Sequence, residues 1–158
     1  MKILVAVDES EESMHALMWT IDHHLVSANE IDSLVVLHVQ KPLELYAYPI
    51  GPAVYASAVV IDSVKKAQQQ DSEELLIRVK EICRNKRIES HTVIIDGDPK
   101  EIICQTIDQM NIDLVVLGSR GQGMIKRALL GSVSDYCAHH ANCPVLIVRP
   151  RKEQEQRS

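Results

Sequence analysis

The sequence predicts an α/β domain built on an open parallel sheet with helices on both faces. Short, nearly continuous apolar runs alternate along the chain with longer segments in which apolar residues recur every three or four positions. The short runs are typical of strands buried on both faces, and the periodic segments are typical of amphipathic helices. Because the two kinds of segment alternate strictly, we expect parallel strands joined by helical crossovers.

The elements can be placed in order along the chain. We expect strands over 3–7, 33–39, 91–95, 113–118 and 144–149, and helices over about 11–25, 57–86, 99–110 and 132–141. Ser10 precedes the first helix as its N-cap, and apolar residues from Met14 to Leu25 form the buried face of that helix. Asp98 and Pro99 mark the start of the third helix, because aspartate suits the cap and proline the first position.

A loop rich in glycine and serine follows the fourth strand, with the spacing Gly118-x2-Gly121-x9-Gly131-Ser132. Its neighbours include three cations and a second hydroxyl, namely Arg120, Lys126, Arg127 and Ser134. Glycines let a backbone approach phosphate, hydroxyls donate to it, and a helix beginning near Ser132 directs free amides toward it. A simpler interpretation stays open, in which Ser132 is only an N-cap paired with Asp135 and Gly131 only a turn residue.

The loop does not match the two best-known phosphate-binding patterns. A P-loop requires Gly-x4-Gly-Lys-Ser/Thr, which the sequence lacks. The dinucleotide fingerprint requires three glycines after the first strand, whereas the strand here runs into Asp8 without a glycine. If the chain binds a nucleotide, it does so through another arrangement.

The glycine spacing and its surroundings resemble the universal stress protein family, in particular the branch whose members bind ATP. The resemblance includes Asp8 at the end of the first strand, His38-Val39 ending the second, and the Gly97-Asp98-Pro99 turn. It extends through Cys143-Pro144-Val145-Leu146-Ile147-Val148, so it covers nearly the whole chain, and it is greatest toward plant single-domain members. Together with right-handed crossovers, it implies a Rossmann-like five-stranded sheet in the order 3-2-1-4-5. Ligands of such sheets bind beyond the carboxyl ends of the strands, where the winding reverses.

The resemblance implies a site for an adenine nucleotide, ATP or AMP, with Mg²⁺ able to accompany the phosphates. The residues expected to bind the nucleotide are Ala6, Val7, Asp8, Val39, Leu117, Gly118, Arg120, Gly121, Gly131, Ser132, Val133 and Ser134. Main chain near Val7 and Val39 would hold adenine, Asp8 would face the adenine or ribose, and the loop and helix start would hold phosphate. Glu9 adds a negative charge that would weaken triphosphate binding unless it turns outward, so AMP is an alternative to ATP.

The sequence favours a binding protein over an enzyme. It contains no P-loop lysine, and apart from Asp8 we identify no acidic metal ligand facing the phosphates, so no catalytic residue and no metal site are predicted. Together with this preference for binding, the family resemblance implies a regulatory protein of stress responses whose nucleotide state alters dimerisation or partner choice. The alternatives are a slow Mg-dependent ATP hydrolase using Asp8, and a chaperone-like interaction module that works without nucleotide. The latter is suggested by the tyrosine-containing stretch 41–57.

The oligomeric state is a separate expectation. The last strand, from Pro144 to Val148, is apolar and is expected at the edge of the sheet, where such a strand is usually covered. The family resemblance implies that it pairs with its counterpart in a homodimer. The signalling partner of such a dimer is not indicated by the sequence.

Composition limits the remaining possibilities. A net charge of −5 and a pI near 5.8 argue against a general nucleic-acid or membrane-surface binder. The strand beginning right after Met1 and the absence of a long apolar segment lead us to expect a cytoplasmic protein, with access to the nucleus not excluded. One domain over 1–150 and a flexible tail over 151–158 are expected, since the tail lacks an apolar anchor.

The four cysteines form no Cys-x-x-Cys pair and are expected to be reduced packing thiols. The run from Cys137 to Cys143 also contains two histidines and could suggest zinc. Helical spacing puts Cys137 and His140 together on the buried face while His139 points elsewhere, so we do not predict a metal site.

Overall fold

A computed structural model describes residues 1–29, 33–43, 54–120 and 130–151. Strands and helices alternate in the predicted order: β1 (Ile3–Ala6), α1 (Glu11–Asp22), β2 (Leu34–Gln40), α2 (Val54–Asn85), β3 (His91–Asp96), α3 (Pro99–Gln109), β4 (Leu114–Gly118), α4 (Ser132–His140) and β5 (Val145–Val148). The α/β fold class is therefore confirmed. The second helix begins earlier than predicted, so part of the expected 41–57 connection is helical.

The five strands form one parallel sheet in the order β3-β2-β1-β4-β5, as the resemblance implied. The central strand β1 ends early relative to its neighbour. Ala6 pairs with Leu37, whereas β2 continues to Gln40, which pairs with Asp96 of β3. This difference leaves a notch at the carboxyl end of β1, between β2 and β4.

Helices cover both faces of the sheet and divide the core into two layers. Alternate residues of β1 point to opposite layers, so Ile3 and Val5 pack with α1 and α2, while Leu4 packs with α3 and α4. The central strands are almost completely buried over Ile3 to Val5, Leu34 to Leu37 and Val115 to Leu117, which explains their continuous apolar runs. The outer strands β3 and β5 are only partly buried.

The helix starts agree only in part with the sequence interpretation. The side chain of Ser10 accepts the N–H of Ser13, so the N-cap prediction for α1 is confirmed. Asp98 occupies the N-cap position of α3, but its side chain makes no capping hydrogen bond and instead lies 3.8 Å from the Nζ of Lys100. The N-cap of α4 is Gly131, so the alternative that placed Ser132 there is wrong.

The buried face of α4 was also predicted incorrectly in one respect. Cys137 is fully buried, but His140 is exposed and its ring lies 4.2 Å from the ring of Tyr136. The imidazole prefers the solvent side because burial without a hydrogen-bond partner would cost free energy. All four cysteines are free thiols.

Some expectations fall on residues outside the described part of the chain. These are the tail 152–158, the glycine and cations of the loop over 121–129, and Tyr46 and Tyr48 of the connection after β2. Within the described ranges, no helix is long and apolar enough to cross a membrane.

Candidate functional site

A cleft lies over the notch at the carboxyl end of β1, between β2 and β4, and encloses about 130 Å³. Its walls also include the starts of α3 and α4. Every predicted site residue in the described part of the chain lines it: Ala6, Val7, Asp8, Val39, Leu117, Gly118, Arg120, Gly131, Ser132, Val133 and Ser134. Gly121 lies outside the described residues. The fold thus gathers segments far apart in sequence around one cavity at the point where the winding reverses.

The sequence interpretation missed five residues of the wall. They are Ser13, Leu37, Lys41, Pro99 and Ile103. Lys41 could have been found, because it follows directly after the end of β2 and therefore lies at the same edge as Val39. The two wall residues from α3, Pro99 and Ile103, could not be predicted from the sequence. Proline at the first position of a helix is already explained by helix initiation, so Pro99 gave no sign of a ligand.

The main chain of Val7 is engaged within the protein. Its N–H donates to the carbonyl of Leu37 at 2.9 Å, and its carbonyl lies 2.9 Å from Nδ1 of His38. Val39 differs, because N–H and C=O groups of alternate strand residues point to the same side. Since Leu37 faces β1, Val39 also faces that side, where β1 has already ended. Of these two predicted base contacts, Val39 therefore presents its main chain to the cleft and Val7 forms part of the wall.

Asp8 belongs to a polar cluster that fixes the turn into α1. Its Oδ1 accepts the main-chain N–H of Ser10 at 2.8 Å and also the hydroxyl of Ser10. Its own N–H donates to Oγ of Ser13 at 3.0 Å. Glu9 is exposed and is not part of the cleft wall, so this second carboxylate is turned outward.

The start of α4 presents main-chain amides to the other end of the cleft. The first helical hydrogen bond runs from Asp135 N–H to the Gly131 carbonyl at 2.9 Å, so the amides of Ser132, Val133 and Ser134 precede the helical ladder. Such amides and the helix dipole attract anions. Ser132 is exposed and borders the cleft, so its hydroxyl can reach the same ligand.

Two other predicted phosphate contacts have structural partners. The hydroxyl of Ser134 is buried and lies 3.2 Å from the Ser119 carbonyl and 3.1 Å from the Gly131 carbonyl. Because a hydroxyl has one hydrogen to donate, it is committed to the main chain. The N–H of Gly131 donates to the Ser119 carbonyl at 2.7 Å. These bonds fix the position of the helix start relative to the end of β4.

Gly118 is required by packing against α1. A Cβ placed on it would lie 2.8 Å from both the carbonyl carbon and oxygen of Glu12 and 3.0 Å from the nitrogen of Ser13. Side-chain atoms do not approach main chain this closely, so only glycine lets β4 and the first turn of α1 meet here. The family resemblance implied that Gly118 lies near the ligand, and it does line the cleft. Packing against α1 is an additional reason for glycine at this position.

Comparison with known proteins identifies the family. The model of the universal stress protein family matches residues 1–149. The chain belongs to the universal stress protein family.

Relatives within this family match over almost the whole chain. Universal stress protein PHOS34 of Arabidopsis thaliana is 35% identical over 94% of this chain. The match spans 61% of the length of PHOS34, less than two thirds. YxiE of Bacillus subtilis is 31% identical, covering 94% of this chain and 98% of the relative. A universal stress protein family protein from Arabidopsis thaliana, solved with AMP bound, superimposes with a TM-score of 0.67 at 26% identity. That comparison covers 98% of this chain and 94% of the solved one.

Proposed function

We propose that this universal stress protein binds an adenine nucleotide, ATP or AMP, in the cleft beyond β1. The observation that carries the proposal is the arrangement of donors at its two ends. Main-chain groups of Val39 lie at one end, and the first-turn amides of α4, which precede the helical ladder, lie with the Ser132 hydroxyl at the other. A flat base and an anionic phosphate need these two kinds of partner.

The size of the cleft agrees with a partly enclosed ligand. Its 130 Å³ is well below the roughly 300–1,000 Å³ typical of sites that enclose a drug-sized molecule. The apolar wall formed by Leu37, Leu117 and Ile103 suits the base. In our proposal the phosphates extend toward Ser132 and Arg120, where partial exposure allows solvent and cations to accompany them.

The choice between ATP and AMP is part of the proposal. The Arabidopsis relative solved with AMP supports a monophosphate. Because Glu9 is turned away from the cleft, the charge that would have opposed a triphosphate is removed from the wall. We therefore expect both nucleotides to bind, with the difference between them set by residues near the β- and γ-phosphates.

The hydrolase alternative depends on whether Asp8 can hold Mg²⁺. Its Oδ1 is already occupied by two donors from Ser10. Among the described residues there is no group of three or more His, Cys, Asp or Glu side chains placed to hold a metal. Mg²⁺ is commonly held by one or two carboxylates together with the phosphates, and Asp8 is the only carboxylate among the described residues of the cleft wall. The donors already bonded to Asp8 and the amides at the start of α4 favour holding phosphate over transferring it.

Calorimetry with ATP, AMP and adenosine tests the proposal. Ser132 stands at the first position of α4, where proline is well tolerated, and Gly131 before it has ψ 158, which is compatible with a following proline. Ser132→Pro therefore removes one cleft-facing amide and the hydroxyl while preserving the helix. Ser132→Ala is the matched control that removes the hydroxyl alone.

We expect Ser132→Pro to weaken AMP and ATP binding by about tenfold or more, since a hydrogen bond to a charged group contributes roughly 1.5–3 kcal/mol. Ser132→Ala should weaken both by a smaller factor. The affinity for adenosine, which has no phosphate, should be unchanged in both variants. Purified protein that takes up no adenine nucleotide at millimolar concentration contradicts the proposal. Steady phosphate release abolished by Asp8→Ala would favour the hydrolase. Stress protection that survives Ser132→Pro while nucleotide binding is lost would favour the nucleotide-independent module.

Assembly and regulation complete the proposal. The strand β5 lies at the edge of the sheet, and Val145, Leu146 and Ile147 are only half-buried there. We propose that β5 pairs with a second copy in a homodimer and that nucleotide binding alters its contacts with a signalling partner in the cytoplasm. A monomer in light scattering at micromolar concentration would contradict the dimer.

A further inference from the structure

His38 connects the cleft to the longest helix through both ring nitrogens. It lies on β2, half-buried, with Nδ1 2.9 Å from the Val7 carbonyl and Nε2 3.0 Å from Oγ of Ser72 on α2. A carbonyl only accepts, so Nδ1 must carry a hydrogen and donate it. In the neutral ring, Nε2 then accepts the hydroxyl of Ser72, which is 3% exposed. The ring is thus fixed in one tautomer between β1 and α2.

The contact with Val7 falls where the β1–β2 ladder ends. The last rung is the bond from Val7 N–H to the Leu37 carbonyl. In a parallel ladder the next rung would run from Val39 N–H to the Val7 carbonyl. That carbonyl is instead bonded to His38, and within the described ranges Val39 N–H has no hydrogen-bond partner. The imidazole therefore takes the place of the Val39 amide.

We propose that His38 is a positioning residue that ends the β1–β2 ladder one rung early and so keeps the Val39 N–H available to a base in the cleft. This inference rests on the proposed nucleotide site and names the group that shapes its base-binding end. Without the ring, the Val7 carbonyl would be left unpaired beside the Val39 amide. Bonding between those two groups would withdraw the donor from the ligand.

Helix α2 supports the segment on both sides of Val39. Ser72 orients His38 on one side, and on the other the side-chain Nε2 of Gln68 donates to the Lys41 carbonyl at 2.7 Å. Gln68 and Ser72 are four residues apart and so lie on one face of the helix. These two contacts hold the end of β2 against α2, so the Val39 main chain can remain separate from β1 and available to a ligand.

A matched pair of variants separates the two ring nitrogens. His38→Asn places an amide nitrogen near the position of Nδ1 and so retains a donor for the Val7 carbonyl. His38→Gln reaches toward Ser72 and loses that donor. We expect His38→Gln to weaken AMP binding about tenfold, a factor that corresponds to the loss of one net hydrogen bond. His38→Asn should weaken it by no more than about threefold. Ser72→Ala leaves the imidazole in place and should weaken binding by a smaller factor than His38→Gln.

Amide exchange and nitrogen NMR provide readouts that a purely structural role would not change. In the nucleotide-free protein the Val39 amide should exchange faster than that of Gln40, which faces β3 and belongs to the β2–β3 ladder. In His38→Gln the Val39 amide should become protected. Long-range ¹⁵N spectra should show His38 with its hydrogen on Nδ1. Urea unfolding of each variant shows how much of any affinity loss reflects stability.

The outcomes distinguish this inference from the proposed function. If the unchanged protein binds no adenine nucleotide, the proposed function fails and the role of His38 toward a base fails with it. If the unchanged protein binds AMP but His38→Gln binds it equally well, only this inference is overturned. A protected Val39 amide in the nucleotide-free protein, or a hydrogen on Nε2 alone, also overturns it. Should His38→Gln fail to fold, the exchange and tautomer measurements on the unchanged protein and on Ser72→Ala decide.

Discussion

Replacement of Gly118 by alanine tests how the cleft is built. The added Cβ would lie 2.8 Å from the main chain of Glu12, and ordinary contact begins near 3.4 Å, so the start of α1 must withdraw by about 0.6 Å. Because the obstacle is backbone on both sides, no side-chain rotation can relieve it. Overpacking of this kind costs roughly 1–3 kcal/mol, and we expect Gly118→Ala to lower the free energy of unfolding by that amount.

Urea unfolding followed by fluorescence measures this change. Trp19 is the only tryptophan in the chain and lies on α1, the helix that must move. Gly131→Ser is the matched control, because Gly131 has φ −69 and ψ 158, which any residue can adopt, and serine is at least as good an N-cap. AMP affinity should fall in Gly118→Ala as the wall shifts. A free energy of unfolding within about 0.5 kcal/mol of the unchanged protein would refute the packing argument.

Two further predictions concern stability. Burial, reinforced by the neighbouring Cys104 thiol, raises the pKa of Cys137 from the ordinary 9.0 to about 12. The contribution of this thiol to the free energy of unfolding should therefore be fully present well below pH 9 and should be lost between pH 9 and pH 12, because only the unfolded thiol ionises in that range. The loss should reach about 1.4 kcal/mol at pH 10. In urea unfolding, Cys137→Ala should show a shallower decline over the same range. Ser10→Ala removes the cap of α1 and a donor to Asp8, so thermal unfolding should show a loss of about 1–2 kcal/mol, whereas exposed Ser27→Ala should change little.

The strands and helices could be predicted because their signals are local. A strand buried on both faces must be apolar throughout, and the residues around Val5 and Val116 are. The position of the cleft could also be predicted once the sheet order was known, since parallel strands bring their carboxyl ends to one edge. The order itself came from family resemblance, because the apolar pattern does not specify which strands are neighbours.

The remainder of the site depends on which polar group bonds to which, and sequence spacing does not encode this. Ser134 and Ser132 both carry hydroxyls at the start of one helix. The hydroxyl of Ser134 is buried between two main-chain carbonyls, to which its single hydrogen is directed, whereas Ser132 borders the cleft. Gly118 belongs to a ligand-binding motif, but the close approach of α1 also requires glycine at this position. Such distinctions arise from contacts between segments far apart in the chain.

The notch exists because α1 begins so soon after β1. Asp8 accepts the N–H of Ser10, and Ser10 in turn accepts the N–H of Ser13, so the chain turns into the helix directly after Val7. Beyond Val7, whose carbonyl is bonded to His38, no residue is left to continue pairing with β2, which runs on to Gln40. The polar residues that start the helix thus determine where the central strand ends, and that end determines where main-chain groups remain for a ligand. Changes at Ser10 should therefore affect the cleft through backbone position even though the cleft wall does not include its side chain.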